Sequence, residues 1–264
     1  MNVDTYLKAL GITQYTLKSK ISSASALEFP VHDNLNSDYI DSSINYPDNA
    51  EFIIQSTAVT PNISPKTKMN INNINSLDEL DILINNCTKC NLCKTRKQAI
   101  LGSYTDISLE NSKLNTNINI DCLIVGEAPK DAEDELGMPF AGEVNELLAK
   151  MLNAIGLNNA YITNVIKCKS KAEKPNFEQL SHCEPYLFKQ ISILKPRTIL
   201  ALGKVAAQTL INPQVSLADI HGKVYGLYGT QIIATYHPRF VMSNPEYKRK
   251  VWGDLLSLKE LLIK

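Results

Sequence analysis

No stretch of the 264-residue chain is long and apolar enough to cross a membrane, and the opening Met1-Asn2-Val3-Asp4-Thr5-Tyr6-Leu7-Lys8 holds no apolar run of the kind a secretory leader needs. The expectation is a cytoplasmic protein. Charge of one sign is missing too: 27 Lys and Arg balance 27 Asp and Glu, so any electrostatic signal lies in the distribution of charge and not in its total. Six cysteines are too few for a disulfide scaffold of this length, and in a reducing compartment metal ligation outranks disulfides for them.

What is present begins with those cysteines. Cys87-x-x-Cys90 forms a close pair, and Cys168 and Cys183 follow far downstream, on the other side of a segment reading Val125-Gly126-Glu127-Ala128-Pro129. Thiolates that converge from both sides of such a segment suggest a metal centre tying distant parts of the chain together. Cys122, inside the apolar run Ile120 to Val125, reads as a small buried hydrophobe, and Cys93 as a spare thiol, so neither joins the ligand set.

Composition divides the chain. Val3, Tyr6, Leu7 and Leu10 have helical spacing ahead of Gly11, which predicts a short opening helix. From about Asn34 to Asn86 the chain is rich in Asn, Ser, Ile and Pro without a period of 2 or 3.6, and reads as an irregular linker. Residues 1–86 are therefore expected to be an N-terminal extension, a possible protein-docking segment, and residues 87–264 a catalytic domain.

Beyond Asn119 short Ile- and Val-rich runs alternate with helical patterns. Strands are predicted at Asp121 to Gly126, Tyr161 to Val165, Thr198 to Gly203 and Gln231 to Thr235, and helices near Glu143 to Ile155, Phe177 to Leu194, Lys204 to Leu210 and Glu246 to Ile263. The expected fold class is α/β: a three-layer α/β/α arrangement around a four-stranded parallel sheet covered on both faces. Ligands of such sheets bind outside the carboxyl ends of the strands. Those ends deliver Gly126-Glu127-Ala128-Pro129, Asn164 to Cys168, Gly203-Lys204 and Tyr236-His237-Pro238-Arg239.

Charge follows the same division. Residues 161–264 carry 15 Lys and Arg against 7 Asp and Glu, whereas residues 121–160 carry 2 against 8. Basic residues around His237, namely Arg239 and Lys248-Arg249-Lys250, suit a phosphate-tracking surface, although Lys248 to Lys250 taken alone read equally well as a solvated helix face.

Seven pieces in order now resemble one family. Cys87-x-x-Cys90-x-Leu92-Cys93-x-x-Arg96, Gly126-Glu127-Ala128-Pro129, Glu133-Asp134, Gly137-x-Pro139-Phe140-x-Gly142, Asn164-Val165-x-Lys167-Cys168, Cys183-x-Pro185-Tyr186-Leu187 and His237-Pro238 are similar to the motifs of family 4 uracil-DNA glycosylases over about residues 87 to 260. The resemblance implies a uracil-DNA glycosylase-like fold and a monofunctional DNA-repair enzyme, most simply a monomer associated with the nucleoid, that hydrolyses the N-glycosidic bond of uracil in DNA. It implies a 4Fe-4S cluster on Cys87, Cys90, Cys168 and Cys183, with zinc as the alternative. Phe140 matches the aromatic that stacks on the flipped base, Asn164 the amide that reads its edge, Glu133 a pocket residue that crowds out the methyl of thymine, and His237 the histidine facing the departing base. Standing alone, Phe140 reads as a core aromatic and Asn164 as a turn former.

Physical chemistry supports these types. A base must leave the duplex to be attacked, so the pocket needs a flat wall and polar groups for its edge. Departing uracil carries negative charge, which His237 and the backbone N–H groups near Gly126 and Glu127 are placed to meet. Lys204, Arg239 and Phe240 are the expected DNA contacts, with the wedge drawn from Arg239, Phe240, Val241 and Met242. Catalysis is assigned to His237, Glu127 and Asn164. Other uracil-DNA glycosylases carry an aspartate where Ala128 stands, so no general base is assigned, and Glu127, Glu133 and Asp134 are the nearest carboxylates. Lys130 replaces the usual glycine after Pro129, which predicts backbone strain or a narrowed pocket. Were the pocket closed, the chain would be an iron-sulfur DNA-binding module. The chain lacks the histidine-bearing insertion of relatives that trap DNA covalently, and no lysine has a Schiff-base context.

Overall fold

The computed structural model describes residues 70–105, 119–171, 174–227 and 229–263. The predicted opening helix and most of the predicted linker lie outside the described residues. In chain order the elements are α1 (Leu77–Asn85), β1 (Ser103–Tyr104), β2 (Cys122–Gly126), α2 (Asp131–Leu136), α3 (Gly142–Ile155), β3 (Ala160–Asn164), α4 (Phe177–Leu194), β4 (Thr198–Leu202), α5 (Gly203–Leu210), α6 (Leu217–Ile220), β5 (Val224–Leu227), β6 (Thr230–Thr235), α7 (Pro238–Ser243) and α8 (Lys248–Ile263).

The sheet runs β1-β3-β2-β4-β6-β5. Its inner four strands are parallel and match the four predicted ones, while β1 and β5 add antiparallel edges. The central strands are buried along their whole length, as the continuous apolar runs require. Because side chains alternate across a strand, Cys122 and Ile124 of β2 face α3 and α8, with Leu148, Trp252 and Leu255, whereas Leu123 and Val125 face α4 and α5, with Leu187, Ile191 and Ala206. This is the three-layer arrangement. The edge strands escaped prediction because β1 has two residues and β5 is half-exposed with no clean apolar run.

The linker reading to Asn86 is corrected at its carboxyl end. Leu77–Asn85 is a helix whose Ser76 side chain accepts from the Glu79 N–H, and it buries Leu80, Leu83 and Ile84 against Tyr186 of α4 and the loop around Ala99 and Leu101. Burying one leucine stabilises by about 1.5–3 kcal/mol, enough for three such residues to hold a helix too short to persist in water by itself. The packed body therefore begins before Cys87.

Chain direction places the ligand crevice. From β2 the chain passes by α2 and α3 to β3 on one side, and from β4 it passes by α5 to β6 on the other, so the carboxyl ends of β2 and β4 flank a topological switch point.

Candidate active site

Gly126 ends β2 beside Asn164, its register partner at the end of β3. A Cβ built on Gly126 would stand 2.7 Å from Phe140 Cζ and closer still to Asn164 Oδ1. Only glycine lets all three meet. Phe140 arrives from the α2–α3 loop, buried, and the Asn164 side-chain amide donates to the Pro139 carbonyl in that loop at 2.9 Å. The ring of His237, from the end of β6, stacks on Phe140 with centroids 5.3 Å apart and planes 16° from parallel. Gly203, at the end of β4 with φ +88°, presses against the same histidine: a Cβ there would lie 3.1 Å from His237 Cβ. Four strand ends thus converge on one place.

His237 has a defined protonation state. Its Nδ1 accepts from the Arg239 N–H at 3.1 Å, which leaves the ring proton on Nε2. Burial pushes its pKa down from 6.5 to about 4, and the cations Arg239 and Lys130 push the same way. The ring is neutral at pH 7, with Nε2–H as its donor.

Glu133, expected as the wall against a methyl group, is held by two donors. It is buried, its Oε1 accepts from Arg239 Nη2 at 2.9 Å, and its Oε2 accepts from the Lys130 N–H at 3.1 Å. It joins the first turn of α2 to the turn carrying His237. Asp134 is buried too and occupied: it accepts from the Lys97 N–H at 2.9 and 3.0 Å and lies 3.2 Å from Lys169 Nζ. Both carboxylates are structural ties. Glu127 is half-buried, and its carbonyl accepts from the Ile166 N–H at 3.0 Å.

Lys130 is not strained. Its backbone is extended, with φ −112° and ψ −166°, a conformation open to any side chain, and its ammonium donates to the Ser170 carbonyl at 3.3 Å. The strain expected from a lysine at this turn is absent because the turn does not need a positive φ. Around the mouth, Lys204 is exposed on the first turn of α5, Arg239 is half-exposed, and Phe240 is exposed over 40% of its surface while its ring contacts Tyr236 and Tyr247.

The four cysteines singled out in the sequence share one cluster with α1 and α4. Cys87 follows α1, Cys90 precedes the turn Asn91–Lys94, Cys168 lies four residues past β3, and Cys183 sits on α4. Cys122 packs in the core on the α3 and α8 face, as expected. Arg96 donates to Cys168 Sγ at 2.9 Å and to the Cys87 carbonyl at 3.1 Å. The Tyr186 hydroxyl is fully buried beside the Cys87 thiol. Among the described residues no three His, Cys, Asp or Glu side chains close on a point that would hold a single metal ion.

Sequence reading missed one interior feature. Lys167 is completely buried, and its ammonium donates to Thr163 Oγ1 and the Asn164 carbonyl, each at 2.7 Å, and to Gln190 Oε1. Burial drives its pKa down to about 7. No periodicity announces a lysine inside a protein, where lysines are rarely found.

The model of the uracil DNA glycosylase superfamily matches residues 115–256 of the chain. A type-4 uracil-DNA glycosylase of Pyrobaculum aerophilum is 38% identical over 183 residues, covering 65% of this chain and 87% of that protein. Type-4 uracil-DNA glycosylases of Archaeoglobus fulgidus and Saccharolobus solfataricus are 34% and 32% identical, covering 67% and 68% of this chain and 89% and 83% of their own lengths.

Proposed function

From the premise that this chain belongs to the uracil-DNA glycosylase superfamily, on its type-4 branch, we propose a base-excision site built from Gly126, Phe140, Asn164 and His237. The enzyme hydrolyses the N-glycosidic bond of uracil in DNA and leaves an abasic site. The observation that carries the assignment of residues is the meeting of Asn164 Oδ1 and the Phe140 ring over the bare backbone of Gly126.

Extruded uracil recovers its lost stacking on Phe140. Asn164 donates to O4 through Nδ2 and accepts from N3–H through Oδ1. Cytosine presents the opposite pattern at both positions, and each buried mismatch costs about 1–3 kcal/mol. When the bond between C1′ and N1 breaks, its electron pair goes to N1 and spreads to O2. The neutral His237 donates Nε2–H toward that oxygen, and Arg239 and Lys130 add positive potential at the same place. Water then adds to C1′ and loses its proton. Glu133 and Asp134 are committed to structural ties, so positioning and electrostatics carry the rate in place of a strong base. Glu127, which follows Gly126 at the carboxyl end of β2, is assigned to orient that water.

The cysteine group fits a 4Fe-4S cluster held by Cys87, Cys90, Cys168 and Cys183. Two features support this: a guanidinium donating to the Cys168 sulfur, and a buried tyrosine hydroxyl beside the Cys87 sulfur. Both are donors suited to the anionic sulfur of a bound cluster. When bound, the cluster supplies structure, joining α4 to the loop before β1. Lys204, Arg239 and Phe240 are assigned to the DNA strand around the flipped nucleotide.

Oligonucleotides identical except for one uracil, thymine or cytosine test the assignment through release of free base and alkali-labile sites. Uracil alone is expected to be excised. Excision of thymine at a comparable rate would overturn the reading of the edge by Asn164.

A further inference from the structure

Asn164 is the last residue of β3, and just beyond it the Val165 and Ile166 N–H groups still donate to the Gly126 and Glu127 carbonyls, each at 3.0 Å. Lys167 Nζ donates to the Asn164 carbonyl from three residues further along the chain. The other two acceptors of the same ammonium are Thr163 Oγ1, on β3, and Gln190 Oε1, on α4. In its charged form the lysine thereby uses all three of its donors. The acceptors are themselves anchored: Thr163 Oγ1 donates to the Leu101 carbonyl at 2.6 Å, and Gln190 Nε2 donates to the same carbonyl at 2.9 Å. The Lys167 carbonyl in turn accepts from the Ile100 N–H at 2.7 Å.

Burying a cation is costly, and an apolar side chain of similar length would fill the space without that cost. What an apolar residue lacks is a donor for the carbonyl of Asn164. The side-chain amide of Asn164 donates to the Pro139 carbonyl. The peptide after Asn164 is held on one side by the Val165 N–H, which donates to the Gly126 carbonyl at 3.0 Å, and on the other by Lys167 at the Asn164 carbonyl; a tilt of that peptide would swing the amide out of the plane in which it meets the base.

We infer that Lys167 is a positioning residue for the base-reading amide of Asn164, locking the peptide at the end of β3 to α4 through Gln190. The inference rests on the reading of Asn164 as the group that recognises uracil. Lys167 touches neither the base nor the reacting atoms. Its effect on excision runs through Asn164, and that distinguishes it from a residue that merely stabilises the fold.

The test is a double-mutant cycle on the full chain carrying its cluster, using Lys167→Met, Asn164→Ala and the double variant. Single-turnover excision at saturating enzyme is measured together with iron per chain and thermal midpoint. Lys167→Met alone is expected to slow excision by about 10- to 100-fold, as misplacement of a reacting group does. In the Asn164→Ala background the same substitution is expected to change the rate by no more than about twofold, the limit for a residue with nothing left to position. Lys167→Gln, which keeps a donor, is expected to lie between Met and wild type, and it carries the same cycle should Lys167→Met fail to fold. Equal slowing in both backgrounds, or wild-type rates in a folded Lys167→Met enzyme, would overturn the role of Lys167 only. An Asn164→Ala enzyme as fast as wild type would overturn the reading of Asn164 and with it this inference.

Discussion

The pocket around Gly126 and the cysteine group beside α1 are joined on the chain by three residues, Val165 to Lys167, yet they are held by different chemistry. The pocket is preorganised by protein alone: parallel strands fix Gly126 and Asn164 in register, Gly203 seats His237, and Glu133 ties two loops across the mouth. The cysteine group has only part of this. Its apolar wall is complete, and an arginine donor and a buried tyrosine hydroxyl lie beside sulfur atoms that form no disulfide with one another. One region displays its geometry without a ligand, and the other is shaped for one. The difference teaches where each is vulnerable: the pocket to steric change, the cysteine group to loss of the metal centre proposed for it.

Steric change in the pocket gives the largest expected effect. Gly126→Val puts a side chain where Asn164 Oδ1 and Phe140 already lie, so excision is expected to fall to background while iron content and DNA affinity persist, measured on the same preparation. Retained excision would remove the close-approach role of Gly126. The converse break is Cys183→Ala against Cys122→Ala. The first is expected to lose iron and lower the thermal midpoint, and the second to keep all its iron, because Cys122 faces the opposite side of the sheet.

A smaller effect sharpens the boundary of the pocket. Glu133→Gln keeps the shape of the side chain but weakens the bond to Arg239, and a charge-assisted bond of this kind contributes about 1.5–3 kcal/mol. The expected result is slower excision by about tenfold or more with unchanged discrimination against thymine, since Glu133 ties loops and does not contact the base edge. The smallest effect is a titration. The fold holds His237 neutral, so that part of the stability is present above the ordinary value of 6.5 and is lost as pH falls through about 4. Imidazole nitrogen shifts are expected to show a neutral ring protonated at Nε2 at pH 7, and a midpoint near 6.5 would contradict the burial of the ring.

Much of this arrangement was legible in the chain. The four parallel strands and four of the helices could be read from short Ile- and Val-rich runs and a 3.6-residue period, and the residues at the strand ends followed from direction alone. What stayed hidden had physical reasons. The helix Leu77–Asn85 sits in an Asn-rich stretch, and tertiary burial of Leu80 and Ile84 outweighs its weak local signal. The pairing of Glu133 with Arg239 spans 106 residues of chain, a distance at which no spacing rule operates. The threefold engagement of Lys167 joins Thr163, Asn164 and Gln190 only after α4 has packed on the sheet. Whether Lys130 strains its turn rests on a single dihedral angle that composition does not reveal.

Single-turnover excision of uracil by Phe140→Ala, Asn164→Ala and His237→Ala, each matched to wild type in iron content and DNA affinity, tests the account most directly. The convergence of these side chains at the strand ends predicts that all three are slowed, with His237→Ala losing about 100-fold or more, as removal of a donor to developing negative charge does. Wild-type rates in all three variants would place the chemistry elsewhere on the molecule.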